Sequence, residues 1–224
     1  MLNFYLRNEK MTEHFPLRLA ELVTSRLCHD LITPIGAINT GLELFQDSPN
    51  THLAESDEIL NLILQSAQAA SARVSYFRIA FGSSSSNVSL DEIRQLIKNY
   101  FLRSKLEVQW KIPPQSDLAF EGWGRLLLNA VLWMGECAPR GGLLNVCLPK
   151  KDSPMLSLLL KADSIICHQG TLEALKGQVE LEDLSPRTIP CYLVHCLIKE
   201  KKNQLKVTQS SSPLELFLEI KSLG

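Results

Sequence analysis

Apolar residues recur at every third or fourth position between residues 17 and 46. The series runs through Leu19, Val23, Leu27, Leu31, Ile35, Ile38, Leu42 and Phe45. This spacing matches the helical repeat and predicts one long amphipathic helix. Asp47-Ser48-Pro49-Asn50 follows, with residue types typical of a turn. A second series of the same spacing extends from Leu53 to Phe81, so residues 12–82 are predicted to form a hairpin of two long helices.

The pattern changes after a run of small polar residues, Gly82 to Asn87, which is typical of a linker. A capping box, Ser89 with Glu92, predicts the start of a helix that reaches about residue 103. The elements predicted after it are a strand at 106–110, a helix at 117–137, paired strands at 143–149 and 154–162, a helix from Ser185-Pro186 to about residue 201, and a strand pair at 204–210 and 213–220. Helices that alternate with strand pairs indicate an α/β sandwich.

The predicted fold class is therefore α+β. An N-terminal extension of residues 1–16 precedes a helical hairpin of residues 17–82, a linker of residues 83–88 and a sandwich domain of residues 89–224. Two helices alone leave part of their apolar stripes uncovered. A second copy of the hairpin would cover them in a dimeric four-helix bundle, and the sandwich domain is the alternative cover.

Composition narrows the function classes. The chain has 224 residues and a formal net charge of −1, which excludes a general basic field for nucleic acid or anionic lipid. No apolar run approaches the ~18 residues of a membrane span, and the N-terminus lacks a secretory pattern, so a cytoplasmic protein is expected. The six cysteines contain no C-x-x-C pair and are expected to be reduced. A zinc site from Cys167-His168 and Cys191-x-x-x-His195-Cys196 remains an alternative with no standard spacing.

Candidate chemistry concentrates in one run of the first helix, His29-Asp30-Leu31-Ile32-Thr33-Pro34. His29 follows Leu27 by two residues, about 200° around the helix, and therefore faces away from the apolar stripe. Thr33 lies one turn further on the same face, and Pro34 should loosen the helix near the carbonyl of Asp30. An exposed neutral imidazole can attack phosphorus with Nε2 while a carboxylate holds the Nδ1 proton. The alternative is an ordinary surface histidine beside a proline that only shapes packing.

This run resembles the phospho-acceptor motif of histidine kinases, H-[DE]-x-x-[TN]-P. The stretches from Leu27 to Leu44 and from Leu184 to Leu193 are more similar to the ChpT family, the histidine phosphotransferases of alphaproteobacteria. The resemblance covers nearly the whole chain after about residue 17. It implies that His29 carries the phosphoryl group, that Asp30 orients and polarises His29, and that Thr33 helps to place water or the phosphoryl group.

The same resemblance implies partners. His29 would accept a phosphoryl group from the receiver aspartate of a CckA-like hybrid histidine kinase and pass it to the receiver aspartate of a CtrA-like response regulator. Mg²⁺ would belong to the receivers, and this chain would act as a homodimer. The docking face is expected to contain Arg26, Pro34 and Ala37 together with part of the second domain. For Arg26, a solvated surface arginine is the alternative.

Residues 125–146 resemble the asparagine box of histidine-kinase ATP domains, but with departures. Asn129 matches the first asparagine, whereas Trp133 replaces the second and Glu136 stands at a lysine position, where it would repel phosphate. The adenine-binding D-x-G-x-G pattern is missing at 162–167. We therefore expect a kinase-like domain that binds neither ATP nor another cofactor. An ATP-dependent histidine kinase and a non-catalytic dimeric adaptor remain alternatives.

Overall fold

The first part of the protein is a hairpin of two long helices, as predicted. The computed structural model describes residues 2–47, 53–82, 88–112, 122–150 and 154–222, with side chains described from residue 16 in the first range and residue 56 in the second. Helix α1 spans Leu2–Asp47 and helix α2 spans Leu53–Ala80, and the two pack along each other. Helix α1 thus includes most of the predicted N-terminal extension. The predicted turn at 48–50 and the linker at 83–87 lie outside the described residues.

The two helices approach closely at Gly41. A Cβ atom at this position would lie 2.6 Å from Cγ1 of Ile63 on α2, which is closer than two carbon atoms can pack. Gly36, one and a half turns earlier on α1, is exposed, and a Cβ atom there would meet nothing within 4 Å. Only one of these two glycines is therefore required by helix packing.

The second part contains four helices and five strands, within the described residues. They follow in the order α3 (Leu90–Phe101), β1 (Leu106–Lys111), α4 (Gly124–Cys137), β2 (Gly142–Cys147), β3 (Met155–Lys161), α5 (Gln169–Lys176), α6 (Ile189–Glu200), β4 (Gln204–Ser211) and β5 (Leu214–Lys221). The strands form one sheet in the order β1-β2-β3-β5-β4, in which β1 and β2 are parallel and the other pairs antiparallel. This architecture confirms the α+β class.

The core lies between one face of the sheet and the helices. Alternate residues of β3 and β5 are fully buried, namely Leu156, Leu158, Leu160, Leu216, Leu218 and Ile220. Helix α4 is buried on almost all sides because it packs against α2, α3 and α6 as well as joining the same core. Its sequence from Leu126 to Met134, apolar except for Asn129, follows from this central position.

Two buried hydrogen bonds join the hairpin to α4. The hydroxyl of Tyr76 donates to the carbonyl oxygen of Leu128 at 2.6 Å, and Nδ2 of Asn129 donates to the carbonyl oxygen of Ala80 at 2.8 Å. The end of α2 is therefore fixed against α4. This connection positions the second domain beside the middle of α1.

The predicted helix starts have mixed outcomes. The Ser89 cap is confirmed, since its Oγ accepts from the backbone N–H of Glu92 at 3.2 Å. Helix α4 begins at Gly124, because Gly122 has a φ of +76° that a right-handed helix cannot contain. Residues 117–121 of the predicted helix lie outside the described residues. The predicted N-cap at Ser185 is wrong: α6 begins at Ile189, and Thr188 precedes it.

Helix α5 was not predicted from the sequence. It has eight residues, begins without a side-chain cap and ends at Gly177, whose φ is +67°. A helix of this length shows little periodicity, and only the terminal glycine is a recognisable signal. In the described residues, none of the helices combines the length and apolarity needed to cross a bilayer.

Replacing each α1 glycine by alanine tests the close approach. Gly36→Ala should raise the free energy of unfolding by about 1 kcal/mol, because alanine favours the helix and meets no neighbour. Gly41→Ala carries the same helix preference but forces α2 away, so it should lower stability. Urea unfolding of both variants measures the difference, and equal stabilisation by both would contradict the packing described for Gly41.

Candidate functional site

His29 projects from α1 into solvent. Its side chain is 83% exposed, which agrees with the outward orientation predicted from its spacing to Leu27. Its Nδ1 lies 3.0 Å from Oδ1 of Asp30. Because a carboxylate only accepts hydrogen bonds, Nδ1 carries the proton in this contact and Nε2 of the neutral ring keeps its lone pair. The nitrogen that is free to act as a nucleophile is therefore the one that faces away from Asp30.

Asp30 is held from its other side. Its side chain is only 13% exposed, and its Oδ2 accepts a hydrogen bond from Nε of Arg26, one turn earlier, at 3.0 Å. Each carboxylate oxygen thus has its own partner, Arg26 for one and His29 for the other. This division fixes the plane of the carboxylate, and hence the direction in which it meets the imidazole.

Arg26 is buried rather than exposed, which corrects the sequence expectation. Only 8% of the residue is accessible, and its Nη2 donates to Oε1 of Glu136 on α4. Burial lowers the pKa of Arg26, but the neighbouring carboxylates of Glu136 and Asp30 outweigh that effect and raise it. The guanidinium is therefore a permanent cation between two carboxylates. The expectation of a surface arginine is wrong, and a direct contact of Arg26 with a partner protein stays a prediction.

Pro34 is also buried, contrary to its predicted place on an exposed docking face. Helix α1 continues through it, and Pro34 has no N–H to donate to the carbonyl of Asp30. Nη1 of Arg73 on α2 donates to this carbonyl oxygen at 2.8 Å. The proline thus creates an acceptor on α1 that a side chain of α2 occupies. The sequence shows the free carbonyl, but not the donor 43 residues later.

The other predicted residues lie where the helical repeat places them. Thr33 is exposed one turn beyond His29, and Ala37 is half-buried two turns beyond it. Neither has a contact that reveals a role, so the proposed functions of Thr33 in phosphoryl placement and of Ala37 in docking stay predictions.

The second domain forms the other wall of a cleft beside His29. The cleft has a volume of about 560 Å³ and is lined by Arg26, His29, Asp30, Glu136, Ser185, Pro186 and Arg187. Burial raises the pKa of Glu136 above its usual value, although Arg26 and Arg187 act in the opposite direction. The sequence suggested that Glu136 would repel a phosphate. The structure instead directs its carboxylate to Arg26, a role that sequence reasoning missed.

Trp133 and Asn129, at the asparagine-box positions, are buried and form hydrogen bonds inside the protein. Trp133 is 1% exposed, and its indole Nε1 donates to Oγ1 of Thr171 at 3.3 Å. Both Nδ2 hydrogen bonds of Asn129 go to carbonyl oxygens, those of Ala80 and Arg125. Among the described residues, no group of three or more His, Cys, Asp or Glu side chains is arranged to hold a metal ion.

Three comparisons with known proteins each match more than half of the chain to a phosphotransferase. Residues 90–212 match the family described as the histidine phosphotransferase C-terminal domain. The chain is 31% identical over 199 residues to the protein phosphotransferase ChpT of Brucella abortus (strain 2308), covering 85% of this chain and 90% of that protein. It also resembles the 1.7 Å structure of a bacterial phosphotransferase, with a TM-score of 0.76, 29% identity, and 91% of this chain and 96% of that chain covered. The matches to the Brucella protein and to the solved phosphotransferase are longer than the second domain, so they extend into the hairpin.

A double-mutant cycle tests the link between Pro34 and Arg73. Arg73→Met should cost about 1 kcal/mol of stability because the carbonyl of Asp30 loses its donor. In a Pro34→Ala background the helix supplies its own N–H to that carbonyl, so the same substitution should cost clearly less. Equal costs in both backgrounds, measured by urea unfolding, would show that Arg73 does not compensate for the proline.

Proposed function

The chain belongs to the ChpT family of histidine phosphotransferases, and on this premise we propose that His29 is the residue that carries the phosphoryl group. One observation carries the proposal: the 83% exposed imidazole has its Nδ1 on the carboxylate of Asp30 and its Nε2 free. A phosphorelay intermediate needs such a nucleophile, because the other reactant is a side chain of another protein.

The first transfer begins with the neutral imidazole. Nε2 of His29 attacks the phosphorus of a receiver's aspartyl phosphate, forming an N–P bond while the P–O bond to the aspartate breaks. The aspartate leaves as a carboxylate. Nδ1 keeps its proton, so the phosphorylated ring becomes a cation and no proton needs to leave in this step. The second transfer reverses these events onto the aspartate of another receiver.

Asp30 assists both transfers through charge. Its carboxylate lies 3.0 Å from Nδ1 and stabilises the positive charge that the ring acquires as the N–P bond forms. It also holds the tautomer in which Nε2 is the nucleophile. Thr33, exposed one turn away, is proposed to help place the phosphoryl group or water. Mg²⁺ on the receiver would neutralise the phosphoryl oxygens, and we assign no metal to this chain.

The receivers are proposed to dock across the cleft, with a CckA-like hybrid kinase as donor and a CtrA-like response regulator as acceptor. His29, Thr33 and Ala37 lie on the α1 side, and the exposed Arg187 lies on the second domain's side. A receiver that reaches His29 must therefore meet both domains. The match of residues 90–212 to a phosphotransferase-specific domain supports a role for the second domain in this docking.

We propose that the second domain does not use ATP. The indole of Trp133 is buried at the position where histidine kinases have an asparagine that helps to hold Mg²⁺, and an indole N–H cannot ligate a cation. The amide N–H groups of Asn129, at the other asparagine position, are occupied by backbone carbonyls. Both side chains are buried and bonded within the protein, which supports a domain that docks partners rather than one that binds ATP as a kinase does.

A homodimer is proposed from the apolar surface of the hairpin. Large apolar side chains are exposed at helical spacing on both helices: Ile32, Ile35 and Leu42 on α1, and Leu60, Leu64 and Val74 on α2. The second domain does not cover these residues. A second hairpin that presents the same two stripes is their simplest cover and would form a four-helix bundle.

Transfer of label from a phosphorylated receiver tests the proposed function. With the ³²P-labelled receiver domain of a CckA-like hybrid kinase as donor, the parent chain should acquire acid-labile label and His29→Ala should acquire none. His168→Ala, which removes another exposed histidine, is the matched control and should behave as the parent. Undiminished transfer by His29→Ala would refute the assignment, and label from [γ-³²P]ATP without a receiver would favour the kinase alternative.

The oligomeric state tests the bundle. Light scattering should give twice the chain mass of 25.1 kDa. Leu42→Glu combined with Leu60→Glu should give the chain mass, because each places a charge in the proposed interface. Leu102→Glu, at an exposed leucine outside the hairpin, should leave the dimer intact. A parent chain that stays at 25.1 kDa at all concentrations would exclude the dimer.

A further inference from the structure

A line of charged side chains runs from the second domain to the imidazole. Glu136 on α4 accepts from Nη2 of Arg26, Nε of Arg26 donates to Oδ2 of Asp30, and Oδ1 of Asp30 faces Nδ1 of His29. Each contact uses a different atom of the residue it passes through. The four side chains therefore form a continuous path, and its far end belongs to the domain that lacks the phospho-acceptor.

Stability alone is a poor reason for this arrangement. The side chain of Arg26 is 9% exposed and that of Glu136 is 25% exposed, so both charges have lost much of their hydration. A buried ion pair seldom stabilises a fold more than apolar residues of the same size would, but it does fix geometry. The guanidinium bridges two carboxylates, with Nε donating to Asp30 and Nη2 to Glu136, and thus sets both relative to one rigid plane.

We propose that Glu136 and Arg26 are positioning residues for phosphotransfer, through which the second domain sets the orientation of Asp30 and the ease with which His29 is protonated. The inference rests on the proposed role of His29 as phospho-acceptor. It gives the second domain a part in the chemistry that is separate from docking, because the path reaches the imidazole without passing through a partner protein.

The charges around the path determine the direction of the expected effects. The charged groups that face it are Arg26 and Asp30 on α1, Arg73 on α2, Glu136 on α4 and Arg187 before α6. Burial raises the pKa of Tyr100 on α3, so this neighbour stays neutral at physiological pH. Removal of the negative charge of Glu136 makes the surroundings of His29 more positive and its protonation harder. Removal of the positive charge of Arg26 has the opposite effect.

Only neutral His29 can attack phosphorus, so the transfer rate rises with pH to a plateau. Glu136→Gln should move the midpoint of this rise to lower pH by roughly 0.3 pH unit, and Arg26→Gln should move it to higher pH by a similar amount. The double variant should return towards the parent midpoint. Arg26→Gln should also lower the plateau rate by roughly tenfold, because Asp30 loses its fixed plane. A loss of folded protein alone would lower the rate at every pH and leave the midpoint unchanged.

The experiment uses potassium phosphoramidate, a small donor that needs no docking surface. Nε2 of His29 attacks the phosphorus of the N-protonated donor, and the P–N bond breaks as ammonia leaves with that proton. Each rate is divided by the fraction of protonated donor, so that the remaining pH dependence reports the imidazole. The full-length parent, the two single variants and the double variant are compared from pH 5 to 9, with label on His29 followed by mass spectrometry. Glu215→Gln, which removes the carboxylate of the Lys161 ion pair at 2.7 Å in the sheet, is the matched control and should keep the parent midpoint. The donor's own titration is common to all variants.

Opposite midpoint shifts for Glu136→Gln and Arg26→Gln, with no shift for Glu215→Gln, would support the proposal. Midpoints that coincide with that of the parent would overturn it while leaving His29 as the phospho-acceptor. Absence of label on His29 of the parent, from phosphoramidate and from a phosphorylated receiver alike, would instead refute the proposed function. The midpoint does not depend on the folded fraction, and if Arg26→Gln fails to fold, the isosteric Glu136→Gln decides the question alone.

Discussion

The guanidinium of Arg26 lies between two carboxylates that belong to different domains, and the site depends on this interaction. A buried arginine must keep both hydrogen-bonding sides satisfied, so α1 and α4 can meet only where Asp30 and Glu136 both reach it. Together with the hydrogen bonds of Tyr76 and Asn129, this contact places the second domain beside His29. The cleft beside the exposed imidazole is lined by the same residues.

Asp30 is fixed through its backbone as well as its carboxylate. Pro34 leaves the carbonyl of Asp30 without a helical N–H, and Arg73 of α2 donates to it at 2.8 Å. Arg73 of α2 and Arg26 of α1, which itself binds Glu136 of α4, therefore hold the same residue, the neighbour of His29. This convergence gives a physical reason for an interior proline that would otherwise only weaken the helix. Preorganisation of Asp30 in the resting protein means that little rearrangement is needed when the ring becomes charged.

The sequence predicted those features that depend on local periodicity. The apolar repeat indicated the hairpin, and the two-residue offset from Leu27 indicated the exposure of His29. The sequence could not show that Arg26 is buried, because the partner Glu136 lies 110 residues later. The spacing of Arg26 on α1 alone favours a surface position. The start of α6 was misplaced for a related reason, since Ser185-Pro186 has the residue types of a helix start while the backbone first becomes helical at Ile189. The burial of Arg26 thus depends on a contact between distant parts of the chain, which local sequence patterns do not reveal.

The proposed function and the further inference both require that the carboxylate of Asp30, held through Arg26, decides which nitrogen of the imidazole reacts. NMR of the protein with ¹⁵N-labelled histidine, phosphorylated by a receiver domain, measures this directly through the coupling between ³¹P and the ring nitrogens. The expected result is coupling of phosphorus to Nε2 of His29, with Nδ1 still protonated beside Asp30. Coupling to Nδ1, or to a ring nitrogen of any other histidine, would contradict it.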